Sequence, residues 1–290
     1  MQQKSSASDG PSQQRQLHDL PPALPVTELL GEDPGHRFAV FLDYDGTLTP
    51  IVDDPDDALL SESMRTAVSQ LAAVALVAIV SGRDLADVRA KVGIDGLAYA
   101  GSHGFDLRHP DGSSEQVAVE ALDHLDAAED ALAERVGAID GARIERKRFA
   151  IAVHDRGVED PAQRERLAEI VAEVGRAHEG LRSTGGKRIH ELRPDIDWGK
   201  GRAIETLIEV LDAADHVPIY VGDDLTDEDG FRAVTARDGV GVVVRGEGDE
   251  RATLAAAALE SPEHTEHLLT ELAYLAGRGE HDRHDDEVGS

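Results

Sequence analysis

The chain contains no cysteine, which excludes disulfide bridges, zinc–thiolate sites and thiol nucleophiles together. No apolar stretch approaches the roughly 18 residues that span a bilayer. The polar, then Pro-rich segment that follows Met1 lacks the apolar core of a signal peptide. A cytoplasmic protein is expected. Lysine is scarce: Lys4, Lys91, Lys147, Lys187 and Lys200 are the full set. With 58 acidic residues against 29 basic ones, the formal net charge is −29. Such a surface repels nucleic acid and anionic membranes, so neither is an expected partner. It repels anionic substrates too, and a phosphate site therefore needs locally placed cations. Two readings of the acidity stay open. It suits a high-salt cytoplasm, where screening removes much of the self-repulsion, or it simply keeps the protein soluble. Activity and stability indifferent to KCl up to molar concentration would exclude the first.

The 290 residues, 40% of them hydrophobic, suffice for two domains. Residues 1–34 are rich in Gln, Ser and Pro and read as a disordered leader, and 278–290 as a disordered acidic tail. Between them, buried apolar strands (38–43, 75–81, 97–100, 217–221, 240–244) alternate with helices (62–73, 84–92, 200–211, 226–234, 262–276). The pattern is that of an α/β doubly wound parallel sheet. Either Asp84 or Ser81 is expected to cap the 84–92 helix. The middle differs. Strands at 105–109, 116–119, 143–146, 148–154 and 189–192 surround two Ala/Glu-rich helices near 119–138 and 161–178. This reads as an α+β cap inserted at 105–189 into a core of 35–104 plus 190–277.

Four motifs fall at strand ends or a helix start. The run Phe38–Leu42 delivers Asp43 and Asp45, one residue apart, into a Gly-containing turn. Carboxyl ends of strands are where open α/β sheets bind ligands. Two carboxylates there repel unless a cation or a shared proton offsets the charge. Asp-x-Asp-Gly-Thr suits phosphoryl transfer: one carboxylate attacks phosphorus, the other handles the proton, and a divalent metal neutralises the charge. Ser81-Gly82-Arg83 follows the second strand and can hold a phosphate oxygen, although Ser-Gly is more often a plain turn. Lys200, in Asp197-Trp198-Gly199-Lys200-Gly201, sits at a helix N-terminus, where the dipole disfavours a cation. Its functional reading is a cation for the phosphate and for Asp43. Finally, Val221-Gly222-Asp223-Asp224-Leu225-Thr226-Asp227-Glu228-Asp229 places five acids within seven residues. Asp223 is the favoured Mg²⁺ ligand and Asp227 a support behind it. Thr226 with Asp229 is a plausible capping pair for the next helix.

The order Asp-x-Asp, Ser, Lys, Gly-Asp-Asp resembles the haloacid dehalogenase (HAD) superfamily of phosphatases. Four blocks are similar, more narrowly, to the trehalose-6-phosphate phosphatase family. They are Asp43 to Ile51, Gly101-Ser102-His103-Gly104, Glu191-Leu192-Arg193-Pro194 with Asp197 to Gly201, and Gly222-Asp223-Asp224 with Thr226 to Asp229. The resemblance runs from about residue 36 to 275. It implies a HAD-like (Rossmannoid) core with an inserted α+β cap, and hydrolysis of trehalose 6-phosphate in trehalose biosynthesis. It implies Asp43 as nucleophile, forming an aspartyl-phosphate, and Asp45 as the acid that protonates the leaving sugar and then activates water. Mg²⁺ would sit on the Asp43 carboxylate, the Asp45 carbonyl and Asp223, with Thr47, Asp224 and Asp227 supporting them. Ser81 and Lys200 would hold phosphoryl oxygens. Arg83, His103, Glu145, Lys147, Arg156, Lys187 and Glu191 would bind the substrate, a polyol that needs both donors and acceptors. One departure stands out: the family often has an aromatic residue where this chain has Asp155. A trehalose-6-phosphate synthase would be a functional partner. Two alternatives are a HAD phosphatase for another sugar phosphate, such as sucrose 6-phosphate, and a non-catalytic sugar-phosphate sensor.

Overall fold

A computed structural model describes residues 14–31, 37–52, 54–186, 188–246 and 248–288. In chain order it begins with β1 (Arg15–Gln16), α1 (Val26–Leu30), β2 (Phe38–Leu42), α2 (Glu62–Ala72), β3 (Leu76–Val80), α3 (Leu85–Val92) and β4 (Ala98–Gly101). The middle carries β5 (Asp106–Arg108), β6 (Ser114–Gln116), α4 (Leu122–Val136), β7 (Arg143–Lys147), β8 (Ala150–His154), α5 (Pro161–Ala177), β9 (Leu181–Gly186) and β10 (Ile189–Pro194). Then come α6 (Lys200–Val210), β11 (Val217–Gly222), α7 (Glu228–Thr235), β12 (Val240–Val244), β13 (Ala252–Thr253), β14 (Ala257–Leu259) and α8 (Pro262–Val288). The chain divides into two compact units. One comprises the described residues of Met1–Val80, Lys91–Ala98 and Lys200–Ser290; the other comprises Ser81–Ala90 and Tyr99–Gly199.

The first unit is built on parallel strands in the order β14-β12-β11-β2-β3. All five residues of β2 are buried, as befits a strand covered on both faces. The helices α2, α6, α7 and α8 pack around it. Ser61 caps α2 by accepting from the Met64 N–H at 3.1 Å. Residues 14–31, expected as part of a disordered leader, are instead ordered. The strand β1 pairs with β13, Pro22 bridges Ala258, and Leu17, Leu20, Ala23 and Val26 are buried. Arg245 donates to the carbonyls of Leu17 and Leu20, both at 3.1 Å. An apolar residue at every third position gives this stretch one buried edge, which an average over its Gln, Ser and Pro content hides. Residues 1–13 and 32–36 lie outside the described residues. The closing helix also continues to Val288, past the expected end at Ala276.

The second unit holds the antiparallel ladder β4-β5-β6 and a four-stranded antiparallel sheet in the order β7-β8-β10-β9. Strand alternation divides the four-stranded sheet into two faces. Ile151, Val153 and Leu192 pack with Leu125, Leu132, Leu167 and Val171 of α4 and α5 in one apolar core. By the register, in which Ala152 lies opposite both Glu145 and Glu191, the other face carries Glu145, Lys147, Glu191 and Arg193. The strand expected at 116–119 lies earlier, at Ser114–Gln116, because Ala118 turns into the left-handed region (φ 59°) and starts a short helical turn. The strand β9 (Leu-Arg-Ser-Thr-Gly-Gly) carries too little apolar pattern to be read from sequence.

Candidate active site

In the first unit β2 and β11 are parallel neighbours, and each delivers an acidic residue past its carboxyl end. Asp43 follows β2, and its N–H donates to the Val221 carbonyl at 2.9 Å. The chain then turns tightly. The N–H groups of Leu48 and Thr49 both donate to the Tyr44 carbonyl, at 2.9 and 3.1 Å, and the buried Tyr44 hydroxyl donates to the Ala58 carbonyl at 2.8 Å. Gly46 is required here twice over. Its φ is +76°, and a Cβ on it would stand 2.1 Å from Asp223 Oδ2. Thr47 is fully buried in the turn, and Asp45 is half-buried and bridges Thr49.

The Lys200 ammonium, 3% exposed, lies 2.9 Å from Asp43 Oδ1 and 2.6 Å from Asp227 Oδ1. This resolves the misplaced cation at the start of α6: its charge is met by two carboxylates rather than by the helix dipole. Asp227, with no exposure, is the hub. Its Oδ1 accepts from Lys200 and from the Tyr220 hydroxyl, and its Oδ2 accepts from the N–H groups of Asp223 and Asp224 at 2.9 and 2.8 Å. Asp224 and Asp227 form the capping box of the turn before α7. The capping pair expected at Thr226 and Asp229 is therefore placed two residues too late. Asp229 instead meets the Gly201 N–H, whose close approach leaves no room for a Cβ at Gly201. Behind the loop, Arg251 donates to the Asp223 carbonyl at 2.7 Å.

Burial and charge set the protonation of this cluster. Burial pushes Asp227 upward, but Lys200 and the hydrogen bonds override it and hold the carboxyl below its ordinary range. Burial likewise works against the Lys200 charge, and Asp227 with Asp43 reverses it, raising the ammonium above the lysine range. Asp43 is pushed up to about 7, by burial first and by Asp227, against the pull of Lys200. Asp223 is pushed up to about 9, by burial and then by Asp43 and Asp227.

Among the described residues, Asp43, Asp223 and Asp227 bring carboxylate oxygens within 4.8 Å of one another. Each oxygen of Asp227 already accepts two hydrogen bonds, which leaves Asp43 and Asp223 as the pair short of positive charge. A divalent cation against them would return both to the ionised form. An all-oxygen donor set suits a hard ion such as Mg²⁺. The residues present therefore fit a metal site. A methyl group at Gly46 would displace Asp223, so Gly46→Ala is expected to lower kcat/KM by about 10²-fold, the scale of a 1 Å misplacement. Steady-state kinetics across a metal titration check this.

The second unit places the remaining candidates. Ser81 is buried; its Oγ accepts from the Arg83 N–H at 3.2 Å, and Arg83 pairs with Asp87 at 2.8 Å. Ser102 and His103 both adopt left-handed backbone (φ 50° and 57°), so the His103 ring lies against Gly82, where a Cβ would come within 2.6 Å of it. A pocket opens here, with Gly82, Ser102 and His103 on one wall and Lys147, Phe149 and Glu191 on the other. Lys147 lies 3.5 Å from Glu191. Trp198 donates to the Gly104 carbonyl at 2.9 Å, which ties together two of the blocks singled out in the sequence.

The structure thus brings His103, Lys147 and Glu191 to one pocket. Glu145 lies nearby on the same sheet face but pairs with His154 at 2.7 Å; that hydrogen bond, ahead of Lys147 and Arg143, holds its carboxyl below the usual range. Arg156 is exposed and outside the pocket lining, and Lys187 lies outside the described residues. Asp155 has a role of its own: its carboxylate meets Arg188 at 3.1 Å. Sequence reasoning missed the pocket residues Phe105, Phe149, Ala150 and Arg193, and also Tyr220 and Arg251. Tyr220 reads as an ordinary core residue of an apolar strand, and only its partner reveals it. Arg193 lay inside a recognised block and could have been found there.

A parallel sheet that sets Asp43 beside Asp223, with an inserted α+β unit, is the architecture of the haloacid dehalogenase phosphatases. A Bacteroides thetaiotaomicron phosphatase of that superfamily shares the fold at 15% identity and a TM-score of 0.55, over 84% of this chain and 96% of that one. The family model for trehalose-phosphatase matches residues 41–263. The trehalose-phosphate phosphatase of Mycobacterium marinum is 48% identical over 276 residues, which is 90% of this chain and 69% of that protein. The C-terminal domain of a C. albicans trehalose-6-phosphate phosphatase matches with a TM-score of 0.73 at 24% identity, over 89% of this chain and 98% of that one. The chain belongs to the trehalose-phosphatase family.

Proposed function

We propose that this chain hydrolyses trehalose 6-phosphate to trehalose and inorganic phosphate. The observation that carries the chemistry is the buried Asp43 carboxylate, held 2.9 Å from a lysine whose own charge is fixed by Asp227. The family assignment carries the substrate.

An Asp43 oxygen attacks phosphorus, and the bond from phosphorus to the sugar oxygen breaks. Asp45 delivers its proton to that oxygen and trehalose leaves. Asp45, now ionised, takes a proton from water, whose oxygen attacks phosphorus; the Asp43–phosphorus bond breaks and phosphate departs. Lys200 offsets the charge of Asp43 through both steps. The proposed role of the Ser81 hydroxyl is a hydrogen bond to a phosphoryl oxygen. Asp43 and Asp223, with the Asp45 carbonyl, are the proposed Mg²⁺ ligands, and the bound ion would neutralise phosphoryl charge and keep Asp43 ionised. Thr47, Asp224 and Asp227 hold that set in place. On the sugar side, Lys147 and Glu191 supply a donor and an acceptor, with His103, Glu145, Arg83, Arg156 and Lys187 the further proposed contacts.

A cytoplasmic enzyme fed by a synthase that makes trehalose 6-phosphate is the setting we infer. Among the described residues no helix is long and apolar enough to cross a membrane. Phosphate release from trehalose 6-phosphate, sucrose 6-phosphate and glucose 6-phosphate, with Mg²⁺ and with EDTA, tests the reading. A strong, EDTA-sensitive preference for trehalose 6-phosphate is expected. Equal turnover of all three would leave the chemistry and remove the substrate. Lys147→Ala and Glu191→Ala should each raise KM for trehalose 6-phosphate about tenfold or more, the scale of one hydrogen bond to a charged group. An unchanged KM in both would move the sugar site elsewhere.

A further inference from the structure

We propose that Asp84 is a strut that fixes the spacing between the two walls of the pocket, and so sets the affinity for the sugar without touching the reacting atoms. This rests on the reading of that pocket as the sugar site. At the sequence level Asp84 reads as a helix cap. In the structure its carboxylate reaches across the pocket rim. Oδ1 accepts from the Ser102 hydroxyl at 2.7 Å, and both oxygens accept from the backbone N–H of Arg148 at 3.1 Å. Ser102 belongs to one wall. Arg148 lies between Lys147 and Phe149, which belong to the other.

Each wall is braced internally. On the first, the Ser81 N–H donates to the Ala100 carbonyl at 2.8 Å, the Ser102 N–H to the Arg83 carbonyl at 2.6 Å, and the His103 N–H to the Ser81 carbonyl at 2.8 Å. On the second, the Arg146 guanidinium gathers the carbonyls of Lys147, Arg148 and Ala150 at the tip of the β7–β8 hairpin. Two stiff pieces tied at the rim by a charged acceptor hold their spacing there less tightly once that acceptor is removed. Hydrogen bonds from backbone N–H to carboxylate are charge-assisted and strong. A carboxylate at the start of α3 is also favoured by the helix dipole, so it costs little to keep there. Side chains make a second link, from Arg148 to Gln116 at 2.9 Å, which lets the unit fold when the strut is removed. Asp84 therefore acts on Lys147 through its chain neighbour Arg148, as a positioning residue.

The test is steady-state kinetics of the full chain on trehalose 6-phosphate, with unfolding midpoints measured alongside. Asp84→Ala is expected to raise KM about tenfold, the weight of one charge-assisted hydrogen bond, with kcat within about twofold of the wild type. Asp84→Asn keeps an amide oxygen for the Arg148 N–H and should recover most of the loss. An unchanged KM in Asp84→Ala, a fall in kcat at constant KM, or an asparagine variant as weak as the alanine one would each overturn the strut. If the wild type prefers another sugar phosphate, the function reading fails separately, and the same split measured on that substrate still decides the role of Asp84.

Discussion

Asp43→Asn is expected to lower kcat by roughly 10⁴-fold or more, because an amide oxygen cannot form the covalent intermediate that divides the reaction into two steps. The change is nearly isosteric, and the fold tolerates it for a specific reason. Lys200 keeps its 2.6 Å contact with Asp227, and one of three crowded carboxylates loses its charge. Asp43 is pushed up to about 7 by burial and by Asp227, so in the metal-free protein its neutral replacement removes repulsion. Thermal unfolding of the metal-free variant should therefore begin no earlier than that of the wild type. Retention of more than a few per cent of the activity would remove Asp43 as nucleophile, whatever the stability.

The largest effect on stability is expected at Asp227, which touches no substrate in the proposed reaction. Asp227→Ala leaves the Lys200 ammonium buried with Asp43 alone, and strips an acceptor from the Tyr220 hydroxyl and from the N–H groups of Asp223 and Asp224. Breaking a buried pair by removing one partner typically costs about 3–5 kcal/mol. The direction follows from the two buried donors, the Lys200 ammonium and the Tyr220 hydroxyl, which have no solvent to turn to. Urea unfolding should show a lower midpoint with an unchanged slope, and the weakened loop should carry Asp223 away from its place. A midpoint within experimental error of the wild type would mean that Lys200 is held by Asp43 alone.

The core was legible in the sequence because its signals are local. An apolar run ending in Asp43-Tyr44-Asp45-Gly46, and another ending in Gly222-Asp223-Asp224, state both the strands and the acids they deliver. What could not be read was which side chains meet. Tyr220 looks like filling in a buried strand and instead completes the Asp227 hub. Asp84 looks like a helix cap and instead spans a pocket. The acidic stretch suggested Thr226 with Asp229 as its capping pair, and the backbone N–H groups of the turn selected Asp224 with Asp227 instead. Residues 14–31 were misread for a different reason. Their burial depends on β13, β14 and α8, more than two hundred residues later, and no composition window contains that information.

The most direct measurement is chemical. The protein is mixed with trehalose 6-phosphate and Mg²⁺, stopped in acid within one turnover, and treated with borohydride, which reduces an acyl phosphate but leaves free carboxylates alone. Peptide mass analysis is then expected to find homoserine at position 43 only. Turnover with every aspartate left unreduced, or reduction at Asp45 or Asp223 instead, would contradict covalent catalysis by Asp43.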